Sequence, residues 1–299
     1  MIVRAKPNLI NVLISLKGSI AKRIALRSLL VTLLASAIVL IETLHPAYFS
    51  KVNATPFTLL GLSLSIFMNF RNNPCYDRWY EARKAFGAMV MDIRSMVRES
   101  QVIKDKQERS RILRNLCGFA HALNAKLRNE DELSAAGTWL STLPSSNTPN
   151  IPEGILRRVG QQCSTLAESG QISEWRYTLM ANHLTNLTTT QTTCERIKST
   201  PLPFPYTLLL HRTIYIFCIL LPFAMAEPLG WLTPVFTAIV SYTFFGLDAI
   251  GDELEDPFGL DENDLPTNAI VRNIEREVLD ALGATELPPR LQPVDFVLN

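Results

Sequence analysis

The sequence predicts an all-α membrane protein in which four transmembrane helices are joined to a large cytoplasmic helical region. Three observations carry this. Charged residues make up 19% of the 299-residue chain, against about 25% in ordinary soluble domains. The deficit is concentrated in four windows free of Asp, Glu, Lys and Arg, at residues 28–41, 52–70, 213–226 and 228–247. Elsewhere apolar residues recur at helical spacing, and alternating strand patterns are absent. Outside the windows the charge density is that of a soluble protein. A purely soluble globule, a disordered chain and a protein made mostly of membrane are therefore all excluded.

The elements follow in order. A span needs roughly 20 apolar residues, and the windows at 52–70 and 228–247 supply them. The first span, 24–41, includes Arg27 near its end, where a long side chain reaches the headgroups. The third, 201–226, includes His211 and Arg212 well inside the run. Either Arg212 faces protein or water, which makes it a functional candidate, or it marks the interfacial end of a helix starting at Tyr206. The apolar run begins only after Arg23 and no cleavage site of small residues follows it, so the first span reads as an uncleaved anchor. Arg4, Lys6, Lys17, Lys22, Arg23 and Arg27 precede or open that span without an acid among them. Of basic residues the first short connection holds only Lys51, and the second, Glu227 alone, holds none. The positive-inside rule then places both termini and the long middle segment in the cytoplasm.

That middle segment reads as helix. Trp79, Phe86, Val90, Ile93 and Val97 share one face, and Ile112, Leu116, Phe119, Leu123 and Leu127 another. A Pro/Ser/Asn stretch at 141–152 reads as a loop, and helical patterns resume at 155–166 and 172–197. Pro74 should kink the junction between the second span and the helix after it. Pro201, Pro203 and Pro205 force an extended entry to the third span. The resulting divisions are 1–71, 72–200, 201–250 and 251–299.

Catalytic chemistry is missing. The four histidines form no H-E-x-x-H pair, and no Walker, G-x-S-x-G or dinucleotide-binding loop occurs. Five scattered cysteines give neither a disulfide framework nor a zinc knuckle. A net charge of +1 gives no basic stripe for nucleic acid. The chain is expected to be no enzyme and to carry no cofactor.

Three features carry other chemistry. Leu62, Ile66 and Phe70 form an i, i+4, i+8 stripe on the second span, either a packing face or a hydrophobic constriction around a pore that gates by dewetting. Asn182, Asn186, Thr189 and Thr193 form an uncharged polar stripe, either a solvated face or the wall of a water-filled vestibule, with Met180 near its start as a second narrowing. Eight acids and no base lie between residues 248 and 264. The stretch is a solvated linker or a place where Asp261, Glu262 and Asp264 hold a hard cation, although it is no EF-hand loop.

Four segments, residues 16–20 (LKGSI), 70–84 (FRNNPCYDRWYEARK), 201–206 (PLPFPY) and 250–266 (IGDELEDPFGLDENDLP), together resemble the bacterial branch of the bestrophin family. The resemblance implies a homopentameric ion channel around one central pore in the bacterial inner membrane. Leu62, Ile66 and Phe70 would form its neck, and Met180 would lie at its cytoplasmic exit. Animal relatives conduct chloride and open with calcium held in an acidic clasp. Asp261 and Asp264 match the clasp, while Leu260 and Asn263 depart from it. Bacterial relatives resemble sodium-permeable cation channels, so sodium is the expected ion. A chloride or other anion channel of the same architecture is the first alternative. A membrane-anchored helical scaffold without flux is the second. The expected partners are further copies of the chain, the bilayer and the permeating ions.

Overall fold

Apolar periodicity, capping side chains and punctuating prolines account for most helix boundaries in the computed structural model, which describes residues 1–4, 15, 17–46, 48–49, 52–142 and 148–299. Lys6, Lys51 and residues 143–147 of the expected loop lie outside these, as does Leu16 of the first resemblance segment. The regular elements of the described residues are all helices. The described residues contain no strand, only isolated bridges pairing Val297 with Ile2 and with Val294. The helices are α1 (Ala21–Leu44), α2 (Thr55–Glu99), α3 (Lys106–Leu127), α4 (Glu132–Gly137), α5 (Ile151–Glu168), α6 (Glu174–Ser199), α7 (Phe204–Leu229), α8 (Thr233–Glu255) and α9 (Thr267–Ala281). Contacts divide the chain into two compact units. One comprises Arg4–Trp79 and Pro201–Asp256, the other Met1–Val3, Tyr80–Thr200 and Pro257–Asn299.

In the first unit, α1, the start of α2, α7 and α8 close around one apolar core. Ile24 and Val31 meet Leu64 and Met68, Ile214 and Phe217, and Phe244 and Phe245. Small residues allow close approach, as expected where helices associate without a hydrophobic driving force. A Cβ at Gly61 would stand 3.1 Å from the Phe217 ring, and the Ser28 and Ser241 hydroxyls meet at 3.0 Å. Helix α7 begins where expected: Pro203 is its extended N-cap and a proline occupies its first turn. Gly230, at φ 50°, turns the chain between α7 and α8, which pack against each other.

The outer surface of this unit is as apolar as its core. Leu26, Leu29 and Leu33 on α1, Ile216 and Leu220 on α7, and Val235 and Ile239 on α8 are all exposed. A helix that is hydrophobic all round belongs inside a protein or a membrane. Among the described residues, two stretches are long and apolar enough to cross a membrane, Ala21–Leu44 and Phe204–Glu255, the latter folded back at Gly230–Leu232. The second window differs from expectation. Its helix starts only at Thr55 and runs through Phe70 directly into the charged residues from Arg71 onward. Its apolar part is therefore shorter than the other spans. Pro74 removes one backbone donor, yet α2 continues through it for 45 residues in all.

The second unit is built around α3. Asp105 caps it by accepting from Gln107 N and Glu108 N, and the expected stripe from Ile112 to Leu127 is fully buried. Helices α4, α5, α6 and α9 pack on it. On α2 the buried face is rotated by about one position from the expected stripe: Met89 and Met96 are buried where Val90 and Val97 were expected. Flexible thioethers fill such gaps readily. Asn150 caps α5 by accepting from Glu153 N, so the loop ends there and Pro152 lies in the first helical turn. Helix α9 was not expected, although Val271, Ile274 and Val278 give it a buried face at helical spacing.

Candidate functional site

Leu62, Ile66 and Phe70 project from α2 along one line and are 62, 50 and 59% exposed. Two of the residues between them, Leu64 and Met68, are buried in the core. The i, i+4 spacing thus separates a packed face from an open apolar one. This open face carries no charge.

Directly below it in sequence, α2 turns a guanidinium inward. Arg71 is 0% exposed. Its NH1 donates to Asp248 Oδ1 at 2.9 Å, and its NH2 donates to Asp252. Glu255 lies 3.9 Å from the same nitrogen. His211 Nδ1 meets the other oxygen of Asp248 at 2.7 Å, and Nε2 lies 3.6 Å from Asp252. Asn72 Nδ2 donates to the Leu247 carbonyl at 3.0 Å. Gly251 makes room for this cluster, because a Cβ there would come within 2.6 Å of Asn72 Oδ1 and 3.0 Å of Arg71 NH1. A buried charge survives only when paired, and here two carboxylates flank one arginine. His211, Asp248 and Asp252 hold ligand atoms within 4.8 Å of one another, but the guanidinium already stands among them as their cation.

Sequence reasoning did not pair these residues. Arg71 follows the second uncharged window without a gap, and Asp248 follows the fourth in the same way. Opposite charges closing two apolar windows were the available signal. Of the two intruders in the third span, His211 turns toward protein, whereas Arg212 is exposed. The acidic stretch is also no free linker in its first part. Residues up to Glu255 continue α8. There Glu253 pairs with Arg23 at 3.3 Å, and Glu255 Oε1 accepts from Leu202 N at 3.0 Å.

In the second unit, α6 bears the polar stripe. Asn182, Asn186 and Thr189 are exposed and Thr193 is half-buried. Met180 is 0% exposed, so its side chain packs inside this unit. The 3.6-residue period places Met180 on the inward face with Leu187 and Cys194, each seven residues from the last. Three ties fasten α6 to the second half of α2. Arg176 binds Glu99 at 2.5 Å, His183 and Asn186 reach Asp92 at 3.0 and 3.1 Å, and Arg196 binds Glu81 at 2.7 Å. The Thr185, Thr188 and Thr189 hydroxyls donate to carbonyls one turn back, at 3.0–3.2 Å. Their outward side therefore offers lone pairs.

Asp264 is buried, and its Oδ2 accepts from Asp261 N at 2.7 Å. Burial also sets the titration of this unit. The Cys194 thiol is pushed up to about 12 and Cys163 to about 11, and neither is a reactive thiolate. The imidazole of His121, stacked on Trp139, is pushed down to about 4. Glu275 lies 3.8 Å away but is itself paired with Arg272 at 3.0 Å, so His121 stays neutral.

A sequence model of the bacterial/fungal bestrophin proteins matches residues 1–280. A protein of Mesorhizobium japonicum named voltage-dependent anion channel-forming protein mll4386 is 38% identical over 99% of this chain and 96% of its own length. The similarly named YneE of Escherichia coli K12 is 35% identical over 98% of each. The crystal structure of a bacterial bestrophin homologue from Klebsiella pneumoniae superposes with a TM-score of 0.82 at 36% identity, covering 88% of this chain and 100% of that one. The likeness holds in sequence and in fold along nearly the whole chain, and the chain belongs to the bacterial/fungal bestrophin family.

Proposed function

We propose that this chain is the subunit of an ion channel that conducts anions across a membrane, in a homopentamer whose neck is lined by Leu62, Ile66 and Phe70. The observation that carries the channel reading is the exposed, uncharged apolar line these three side chains draw on α2. Copies of that line facing one axis make a hydrophobic constriction. The apolar outer surface of α1, α7 and α8 supports four membrane spans, with the apolar part of α2 shielded by its neighbours. The basic residues of the N-terminal segment support cytoplasmic termini.

The sodium selectivity expected from the sequence lacks support among the relatives, whose names describe anion-channel formation. An uncharged neck accepts either sign, so those names favour anions. Monovalent cations are a second reading, and one observation favours it. On α6 the threonine hydroxyls and the Asn186 amide donate inward, leaving acceptor lone pairs outward.

Recording from purified protein in a planar bilayer under a NaCl gradient tests both. A reversal potential near the chloride equilibrium potential supports the anion reading. One near the sodium potential transfers the function to cations. Absence of current from a correctly assembled pentamer rejects the channel and leaves a membrane-anchored scaffold.

A further inference from the structure

The first unit holds a cavity of about 280 Å³ lined by Arg27, Leu30, Leu34, Tyr215, Ile219 and Phe245, together with Val31. Nothing in the conduction pathway uses it. Its wall on α1 is a single helical face, since residues 27, 30, 31 and 34 are spaced i, i+3, i+4 and i+7. Polarity changes once along that face. Arg27 stands at the end nearer the start of the helix, and every residue beyond it is apolar. At 1.5 Å per residue the apolar part extends about 10 Å past the arginine.

Arg27 is exposed, and its guanidinium lies over the Tyr215 ring, 5.8 Å from the centroid. Among the described residues no carboxylate pairs with it, in contrast to Arg23 one turn earlier, which binds Glu253. The Tyr215 ring leaves the guanidinium edge open to a planar or tetrahedral oxyanion, which arginine binds through two parallel donors. Leu26, Leu29 and Leu33 flank the groove and are exposed, so it opens among apolar surface.

We propose that this groove is a binding site for an anionic membrane phospholipid, with the headgroup phosphate on Arg27 and one acyl chain lying along Leu30, Leu34 and Ile219. The site rests on the reading that α1 and α7 cross a membrane. Charge complementarity at one end and an apolar trough at the other match an amphiphile better than a free anion, which would leave the trough unfilled. They also match it better than a zwitterionic lipid, whose own ammonium competes with Arg27 for its phosphate.

The full chain, purified in a zwitterionic detergent, is titrated with dioleoyl phosphatidylglycerol and separately with dioleoyl phosphatidylcholine, and bound lipid is counted by native mass spectrometry. Phosphatidylglycerol should be retained about tenfold more tightly, the factor expected of one charge-assisted contact. Arg27→Gln should erase the difference between the lipids, and Arg27→Lys should restore part of it. Leu30→Trp, at an exposed position, should weaken both lipids equally. Glycerol phosphate, which has no chain, should not bind. A phosphatidylglycerol preference that survives Arg27→Gln overturns the proposal. So does Leu30→Trp altering subunit assembly without altering lipid retention, because the groove would then belong to a neighbouring copy. Flux from the same preparations separates the two readings. Current without lipid discrimination rejects only the lipid site, whereas lipid discrimination without current rejects only the channel.

Discussion

Replacing Arg71 with methionine removes the guanidinium while keeping most of its apolar stem. Asp248, whose side chain is 1% exposed, would lose its 2.9 Å partner, and Asp252 would lose its closest one. Breaking a buried ion pair from one side costs about 3–5 kcal/mol, because the remaining charge stays buried and uncompensated. That lowers the folded-to-unfolded ratio by roughly 10² to 10⁴ and the melting temperature in detergent by roughly 6–20 °C. His211, 2.7 Å from Asp248, can take up only part of the loss. The second arm is the double variant Arg71→Met with Asp248→Asn, which removes the stranded charge as well. It should melt well above the single variant, giving a coupling energy above about 1 kcal/mol in a double-mutant cycle. Gly251→Ala should destabilise by about 1–3 kcal/mol through the same residues, since its Cβ collides with Asn72 and the guanidinium. Scanning calorimetry or tryptophan fluorescence reads these three variants and Asp248→Asn alone, which closes the cycle. A loss below about 1 kcal/mol for Arg71→Met, or strict additivity in the cycle, would refute the claim that this cluster fastens α2 to α7 and α8.

Shortening a side chain of the proposed neck with Ile66→Ala should raise single-channel conductance by about twofold or more, because a wider and less apolar constriction stays wetted. An unchanged current amplitude would remove Leu62, Ile66 and Phe70 from the pathway. Stability should also fall on acidification. The native His121 imidazole titrates at about 4, below its unfolded value near 6.5, so the unfolded chain binds the proton first as pH drops. The loss should grow from about pH 6.5 and reach about 3 kcal/mol near pH 4, and denaturation of His121→Gln should show a shallower pH slope. Maleimide labelling of Cys194 at pH 7 should be slow in the native protein and fast after denaturation, since burial holds its thiol near 12. Rapid native labelling would show that α6 opens.

What the sequence disclosed and what it hid follow one physical division. Periodicity is local, so the buried line from Ile112 to Leu127 and the exposed line of Leu62, Ile66 and Phe70 were visible before any coordinates. Capping is local too: Asp105 and Asn150 hold helix starts that their sequences mark. Pairing across long separations is not local. Arg71 and Asp248 each looked like an ordinary end of an apolar window, and only packing joins them. The side on which Met180 packs was hidden for a related reason. A sequence shows that a large apolar residue lies near a polar stripe, but its side of the helix depends on neighbours such as Leu187 and Cys194. Helix α9 is short, and its apolar positions Val271, Ile274 and Val278 stand among charged residues, so its local signal is weak.

The Arg71 cluster also has a history in time. Arg71 and Asp248 are 177 residues apart in the chain. At synthesis rates of 5–20 residues per second, roughly 9–35 seconds separate their emergence from the ribosome. During that interval the apolar start of α2 ends in an arginine whose two carboxylates do not yet exist. The nascent subunit therefore carries an open charge at the edge of its hydrophobic half, and only arrival of α8 conceals it. A chain truncated before that helix would keep the arginine exposed, a chemical mark by which unfinished subunits differ from complete ones.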